Sequence, residues 1–149
     1  VQVRAPKTKE DEPLKGLEGQ ADLVLIDAPC TGTGTWRRNP DAKWRLRPNA
    51  LEERIKEQRA VLDRAAPFVK RGGRIAYITC SLLPQENDDA VEAFLKKHDA
   101  FTLIDPEHVS LNAGFPALAS FISVNGKGLQ LTPHRTGTDG FYISLLKRQ

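Results

Sequence analysis

The apolar positions along the chain fall into short β-rich runs separated by helical stretches. Asp22–Asp27 (DLVLID) is an unbroken apolar run between two acids, the pattern of a strand covered on both faces of a parallel sheet. Arg74–Cys80 (RIAYITC) is a second β-rich run and Phe101–Ile104 a third. Leu129–Thr132 and Phe141–Leu146 read as paired strands joined by PHRTGTDG. A helix is predicted from about Ala50, with apolar residues at Leu51, Ile55, Leu62, Ala65 and Val69, and Gln58 as the gap on that face. Asn49 is its expected N-cap, with Glu52 completing a capping-box-like start; Pro67 weakens its last turn and Gly72-Gly73 stops it. Pro84 opens a second helix with Glu86, Asp88 and Asp89 early and Lys96, Lys97 and His98 late, a charge order that suits the helix dipole. Val1–Arg4 is a short β-like stretch, Glu10–Gln20 a loop, and Asp105–Phe121 an irregular, mobile insertion. The alternation predicts a doubly wound α/β sheet ending in an antiparallel hairpin.

That order of elements places chemistry. In open α/β sheets ligands bind beyond the carboxyl ends of the strands. Asp27-Ala-Pro-Cys30 and Thr79-Cys80-Ser81 both occupy such ends. Parallel neighbours lie about 4.8 Å apart, so direct pairing of the two strands would bring Cys30, Cys80 and Asp27 to one rim.

Composition narrows the setting. A chain of 149 residues suits one domain, and it has no apolar run long enough to span a membrane and no secretory signal. Two cysteines make no disulfide framework, which points to a reducing cytoplasmic environment. The absence of methionine, including at residue 1, fits a piece of a longer protein. Trp36–Pro48 carries a net +4 of the chain's total of +3, leaving −1 for the remainder. Arg37, Arg38 and Lys43 lie in that stretch, a candidate footprint for a polyanion or simply a solvated loop.

Several chemistries could use a thiol here. A phosphatase loop needs arginine six residues after the cysteine, where this chain has Trp36. Gly32-Thr-Gly34 lacks the third glycine of a dinucleotide fingerprint, and no helix follows directly. No metal-ligand spacing and no Cys-x-x-Cys pair occurs. Nucleophilic chemistry on a pyrimidine remains. A thiolate added at C6 of cytosine makes C5 nucleophilic, an acid stabilises the ring nitrogens, and a base removes the C5 proton.

Asp27-Ala-Pro-Cys-Thr-Gly-Thr-Gly34, Arg37-Arg38-Asn-Pro-Asp-Ala-Lys-Trp44, Gly72-Gly73, Thr79-Cys80-Ser81, Glu86-Asn87 and Asp139-Gly140-Phe141 together resemble the NOL1/NOP2/Sun family of RNA cytosine-5 methyltransferases, which includes Fmu and RsmB-like enzymes. The resemblance runs from about residue 21 to the C-terminus and is weakest over 105–128. It implies the C-terminal half of a class I, Rossmann-like methyltransferase sheet that uses S-adenosylmethionine. Cys80 would be the covalent nucleophile, Cys30 the residue that assists proton removal and release, and Asp27 the acid between cofactor and base. Asp27 and Pro29 would face the cofactor, and Arg37, Arg38 and Lys43 would contact rRNA or tRNA phosphates. No metal is implied.

The family's glycine-rich cofactor loop has no counterpart in residues 1–149, so the expected unit is a partial catalytic domain, inactive alone; Asp11 aligns loosely with a later family acid. The Asp22–Asp27 strand would then be an apolar edge open to self-association. Two other readings stand beside this one: a non-catalytic RNA-binding or assembly fragment, and a DNA cytosine methyltransferase whose nucleophile is Cys30. Cys80 could also be a small core residue. Trp36 and Trp44 could brace the loop or stack on a base. His134 reads as structural, and Glu86 and Asn87 as the start of their helix.

Overall fold

The computed structural model describes residues 13–149; the Val1–Arg4 stretch and Asp11 lie outside them. Five strands form one mixed sheet: β1 (Ala21–Asp27), β2 (Val69–Thr79), β3 (Phe101–Leu103), β4 (Leu129–Leu131) and β5 (Phe141–Arg148). The order is β1-β2-β5-β3, with β4 also on β5, and only β1 and β2 run parallel. The terminal β4–β5 hairpin is antiparallel as expected, although its connection carries a short helix, α5 (Pro133–Thr136). The remaining helices are α1 (Ala42–Arg45), α2 (Ala50–Ala65), α3 (Asp88–Lys97) and α4 (Pro106–Asn112).

The crossover from β1 to β2 runs through α2. Leu62 and Ala65 of α2, and Ala90, Val91 and Phe94 of α3, join Ile26, Ile75, Tyr77, Tyr142 and Leu146 in one core. Both long helices therefore cover the same side of the sheet. This corrects the expectation that β1 is buried on both faces. Ile26 is buried and Val24 packs against the core, whereas Leu23 and Leu25 on the opposite face are 53% and 62% exposed. Among the described residues β1 has one neighbour, so its outer edge is free.

Four further expectations change. Gly72-Gly73 do not stop α2, which ends at Ala65; they lie inside β2, where the register jumps between Ala21 and Leu23 of β1. Gly72 has φ 77°, and a β-carbon on Gly73 would sit 2.8 Å from the Ala21 carbonyl oxygen, so the pair forms a bulge against β1. Val69 belongs to that strand, not to the helix. Asn49 makes no side-chain cap and instead sits at φ 68°, turning the chain into α2. The stretch from Asp105 to Phe121 is not irregular: it contains α4 and a 3₁₀ segment, with Asp105 accepting from the Glu107 N–H as N-cap.

Candidate active site

β1 and β2 end side by side, with Asp27 opposite Ile78, and the Ala28 N–H donates to the Ile78 carbonyl at 2.8 Å. Their extensions bring Cys30 Sγ within 3.3 Å of Cys80 Sγ across 50 residues of sequence. Both thiols are free and half-buried. Asp27 is exposed beside them and makes no side-chain hydrogen bond among the described residues, and its negative charge is felt at Cys80.

The two sulfurs lie at hydrogen-bonding distance from each other. A hydrogen bond from Cys30 stabilises the Cys80 thiolate, and with help from its own backbone amide this lowers Cys80 to about 7; burial and the charges of Asp27 and Glu86 act the other way. The same contact, followed by burial, drives Cys30 well above the thiol range. Near neutral pH the pair therefore favours a thiolate on Cys80 and a proton on Cys30. Iodoacetamide should alkylate Cys80 first. The rate should rise with pH through about 7 and level off above it, because only the thiolate reacts. A rate still climbing above pH 9 would contradict this.

Each cysteine is held by its flanks. The Pro29 carbonyl accepts from Gln58 Nε2 at 2.9 Å. Gln58, the supposed gap on the apolar face of α2, is thus fully buried beneath the Cys30 segment. Glu86 accepts from the Thr31 N–H at 2.7 Å, from Thr31 Oγ1 at 2.6 Å and from Ser81 Oγ at 2.5 Å. Asn87 accepts from Thr79 Oγ1 at 2.6 Å and donates to the Ser81 carbonyl at 2.9 Å and to Gln130 at 2.8 Å. The side chains of Glu86 and Asn87 therefore build the cysteine loops rather than the start of α3. Gln58, Glu86 and Asn87 are the functional residues that sequence reasoning missed. A polar residue at an otherwise core-facing position of α2 was the available signal for Gln58; Glu86 and Asn87 precede α3 and carry no such periodic signal.

Gly34 closes the site. Its N–H donates to the Cys80 carbonyl at 2.9 Å, and its carbonyl accepts from the Gly140 N–H at 2.8 Å. The basic loop is latched to the start of β5: Arg38 Nε donates to Asp139 at 2.8 Å, and Arg37 lies 3.8 Å from the same carboxylate. Both arginine side chains stay largely exposed, at 60% and 66%. Lys43 lies over the Trp44 ring at 4.7 Å, and Trp44 is 78% exposed, available for stacking. Trp36 is half-buried and lines an apolar pocket of about 440 Å³ with Thr31, Thr33 and Leu82. His134 is exposed and apart from the cysteines' hydrogen-bond partners.

Among the described residues no cluster of potential metal ligands occurs, and no helix is long and apolar enough to cross a membrane.

The fold is that of a methyltransferase catalytic region. It superposes with a TM-score of 0.74 and 36% identity on the crystal structure of PH0851, covering 88% of this chain and 27% of that one. NSun6 from Pyrococcus horikoshii, solved with SFG, matches with a TM-score of 0.64 and 26% identity over 84% of this chain and 29% of its own. The chain belongs to the 16S rRNA methyltransferase RsmB/F family, whose pattern it matches over residues 3–147. Among curated relatives, the ribosomal RNA small subunit methyltransferase B of Pectobacterium carotovorum subsp. carotovorum (strain PC1) is 39% identical over 125 residues, 84% of this chain and 26% of that protein. The probable ribosomal RNA small subunit methyltransferase B of Bacillus subtilis (strain 168) is 37% identical over 130 residues, 87% of this chain and 28% of that protein. The chain thus spans about a quarter of the length of these relatives.

Proposed function

We propose that this chain is the cysteine-bearing part of an enzyme that methylates C5 of a cytosine in RNA, with rRNA the favoured substrate, in the cytoplasm. The observation that carries the reading is the 3.3 Å approach of Cys80 to Cys30 beside an exposed Asp27 that makes no side-chain hydrogen bond among the described residues. Cys80, already thiolate near neutral pH, adds to C6 and pushes electrons toward C5 and the ring nitrogens. Asp27 is the acid that orients the ring as that charge develops. When bound, S-adenosylmethionine supplies the electrophilic methyl group that C5 takes.

Cys30 then acts. Once Cys80 is bonded to carbon it carries no charge and accepts no proton from Cys30, so the main cause that raised Cys30 is gone. Cys30 gives its proton to solvent and, as thiolate, takes the C5 proton; the C5–H electron pair closes the C5–C6 double bond while the C6–Sγ pair leaves with Cys80 as thiolate. The pair thus alternates charge: whichever sulfur is committed frees the other.

For the cofactor, Asp27 is the fitting group. It lines a groove of about 440 Å³ along β1 with Val24, Ile26 and Arg64, and a free carboxylate suits a sulfonium ion. Pro29, the other expected contact, has its carbonyl engaged by Gln58 and offers only its ring. Most of the cofactor's partners must therefore come from other parts of the parent protein, and the isolated chain should be inactive.

Arg37, Arg38 and Lys43 form the RNA-facing edge. Phosphate contacts of this kind position the strand without reading its sequence. Replacing Arg37 and Arg38 with alanine should flatten the salt dependence of RNA binding by about 0.7 per lost contact; an unchanged slope would remove them from the interface. Among the described residues the outer, apolar edge of β1 has no partner strand, which makes self-association of the isolated chain the expected state; a monomer by light scattering at high concentration would refute it. The reading as a whole is tested by nucleoside analysis of RNA treated with the full-length enzyme. New 5-methylcytidine is expected; methylation at any other atom would overturn it.

A further inference from the structure

We propose that Glu86 is a positioning residue that sets the distance between the two cysteines. Cys30 and Cys80 ride on extensions of different strands, joined further along by the Gly34 N–H, which donates to the Cys80 carbonyl, and by Thr33 Oγ1, which accepts from the Leu82 N–H at 2.8 Å and meets Ser81 Oγ at 3.2 Å. Asn87 secures Thr79 and Ser81 on the Cys80 side, and Gln58 secures Pro29 on the Cys30 side. Glu86 takes both. One carboxylate oxygen accepts the backbone N–H of Thr31, directly after Cys30. The other accepts the hydroxyls of Thr31 and of Ser81, directly after Cys80.

The carboxylate is fully buried, so these three donors replace its hydration shell and hold it in one orientation. Its own backbone is fixed by Tyr77, whose hydroxyl donates to the Glu86 carbonyl at 2.7 Å. Tyr77 belongs to β2, so the clamp is referred back to the strand from which Cys80 projects. An aspartate would fall one methylene short of both loops, and a glutamine would present an NH₂ where two hydroxyl donors meet an acceptor. Glu86 lies outside the reacting pair and acts through the residues that follow each cysteine. The spacing claim concerns the protein alone; its consequence for methyl transfer rests on the proposed function above.

The spacing can be read without methyl transfer. In a glutathione redox buffer, the Cys80 thiolate attacks glutathione disulfide and releases one glutathione thiolate. Cys30, deprotonated, displaces the second glutathione from the mixed disulfide, and its proton passes to a released thiolate. The equilibrium ratio of protein disulfide to dithiol reports the effective concentration of one sulfur at the other. Glu86→Gln, and the milder Thr31→Val, should each lower that ratio about tenfold or more, the scale of a lost hydrogen bond to a charged group, while Thr31→Ser retains it. Ser123→Ala serves as the control: it removes a buried hydroxyl that donates to Asp88 at 2.6 Å, away from the cysteine loops. A ratio unchanged in both Glu86→Gln and Thr31→Val would overturn the proposal. So would an equal fall in Ser123→Ala, which would reduce the effect to general destabilisation. Should Glu86→Gln fail to fold, Thr31→Val decides alone. Because no RNA or cofactor enters the assay, its outcome is independent of the nucleoside analysis that tests the reaction.

Discussion

Replacing Gly34 with alanine should force the two cysteine loops apart. A β-carbon at Gly34 would sit 2.3 Å from the Gly140 carbonyl oxygen and 2.8 Å from the Cys80 carbonyl oxygen. Both obstacles are backbone, so no side chain can swing aside. The three segments that meet there carry Cys30, Cys80 and the start of β5, tied by the two hydrogen bonds of Gly34 to Cys80 and Gly140. Relief requires moving at least one of them, at a cost of about 1–3 kcal/mol for overpacking. The catalytic effect should exceed the stability effect, because displacements of about 1 Å at a reacting pair cost on the order of a hundredfold. Thermal unfolding and iodoacetamide kinetics on the same sample separate the two. The alkylation midpoint of Cys80 should move up from about 7 toward the ordinary 9.0 as the stabilising hydrogen bond from Cys30 is lost. A midpoint still at 7 would show that Gly34 does not control the pair.

Cys80→Ser should have the largest effect of all. A serine hydroxyl is far less acidic than a thiol and gains nothing like the thiolate population that Cys30 confers on Cys80. Methyl transfer by the full-length enzyme should fall by at least about a thousandfold, since the step that activates C5 is removed rather than slowed. RNA affinity should change little, because the basic loop is untouched. A variant that kept more than a tenth of its activity would exclude Cys80 as the nucleophile. It would also revive Cys30 in that role.

Much of this site was legible in the sequence, and the reasons differ by element. The Asp22–Asp27 and Arg74–Cys80 runs announce parallel neighbours, and parallel pairing alone brings Cys30 and Cys80 to one rim. Burial of β1 was misread because an apolar run shows that cover is needed, not which side supplies it. Leu23 and Leu25 are apolar yet exposed on the face opposite α2 and α3. Gly72-Gly73 punctuate the chain equally well as a helix stop or a strand bulge, and only the register against Ala21 decides. Asp105-Pro106 was an available N-cap signal for α4, obscured by the proline, glycine and alanine that follow. Glu86 and Gln58 were hidden for another reason. Their partners, Thr31 and Pro29, are 55 and 29 residues away, a distance no local periodicity spans.

The division of labour between the two sulfurs is the central claim, and trapping tests it most directly. The full-length enzyme carrying Cys30→Ser is incubated with RNA and S-adenosylmethionine, digested, and its peptides mapped by mass spectrometry for a covalently attached methylated cytidine. With no thiol at position 30 to assist release, the adduct should accumulate on the peptide that contains Cys80. An adduct missing from this variant but present on Cys30 in Cys80→Ser would reverse the two roles and contradict the mechanism.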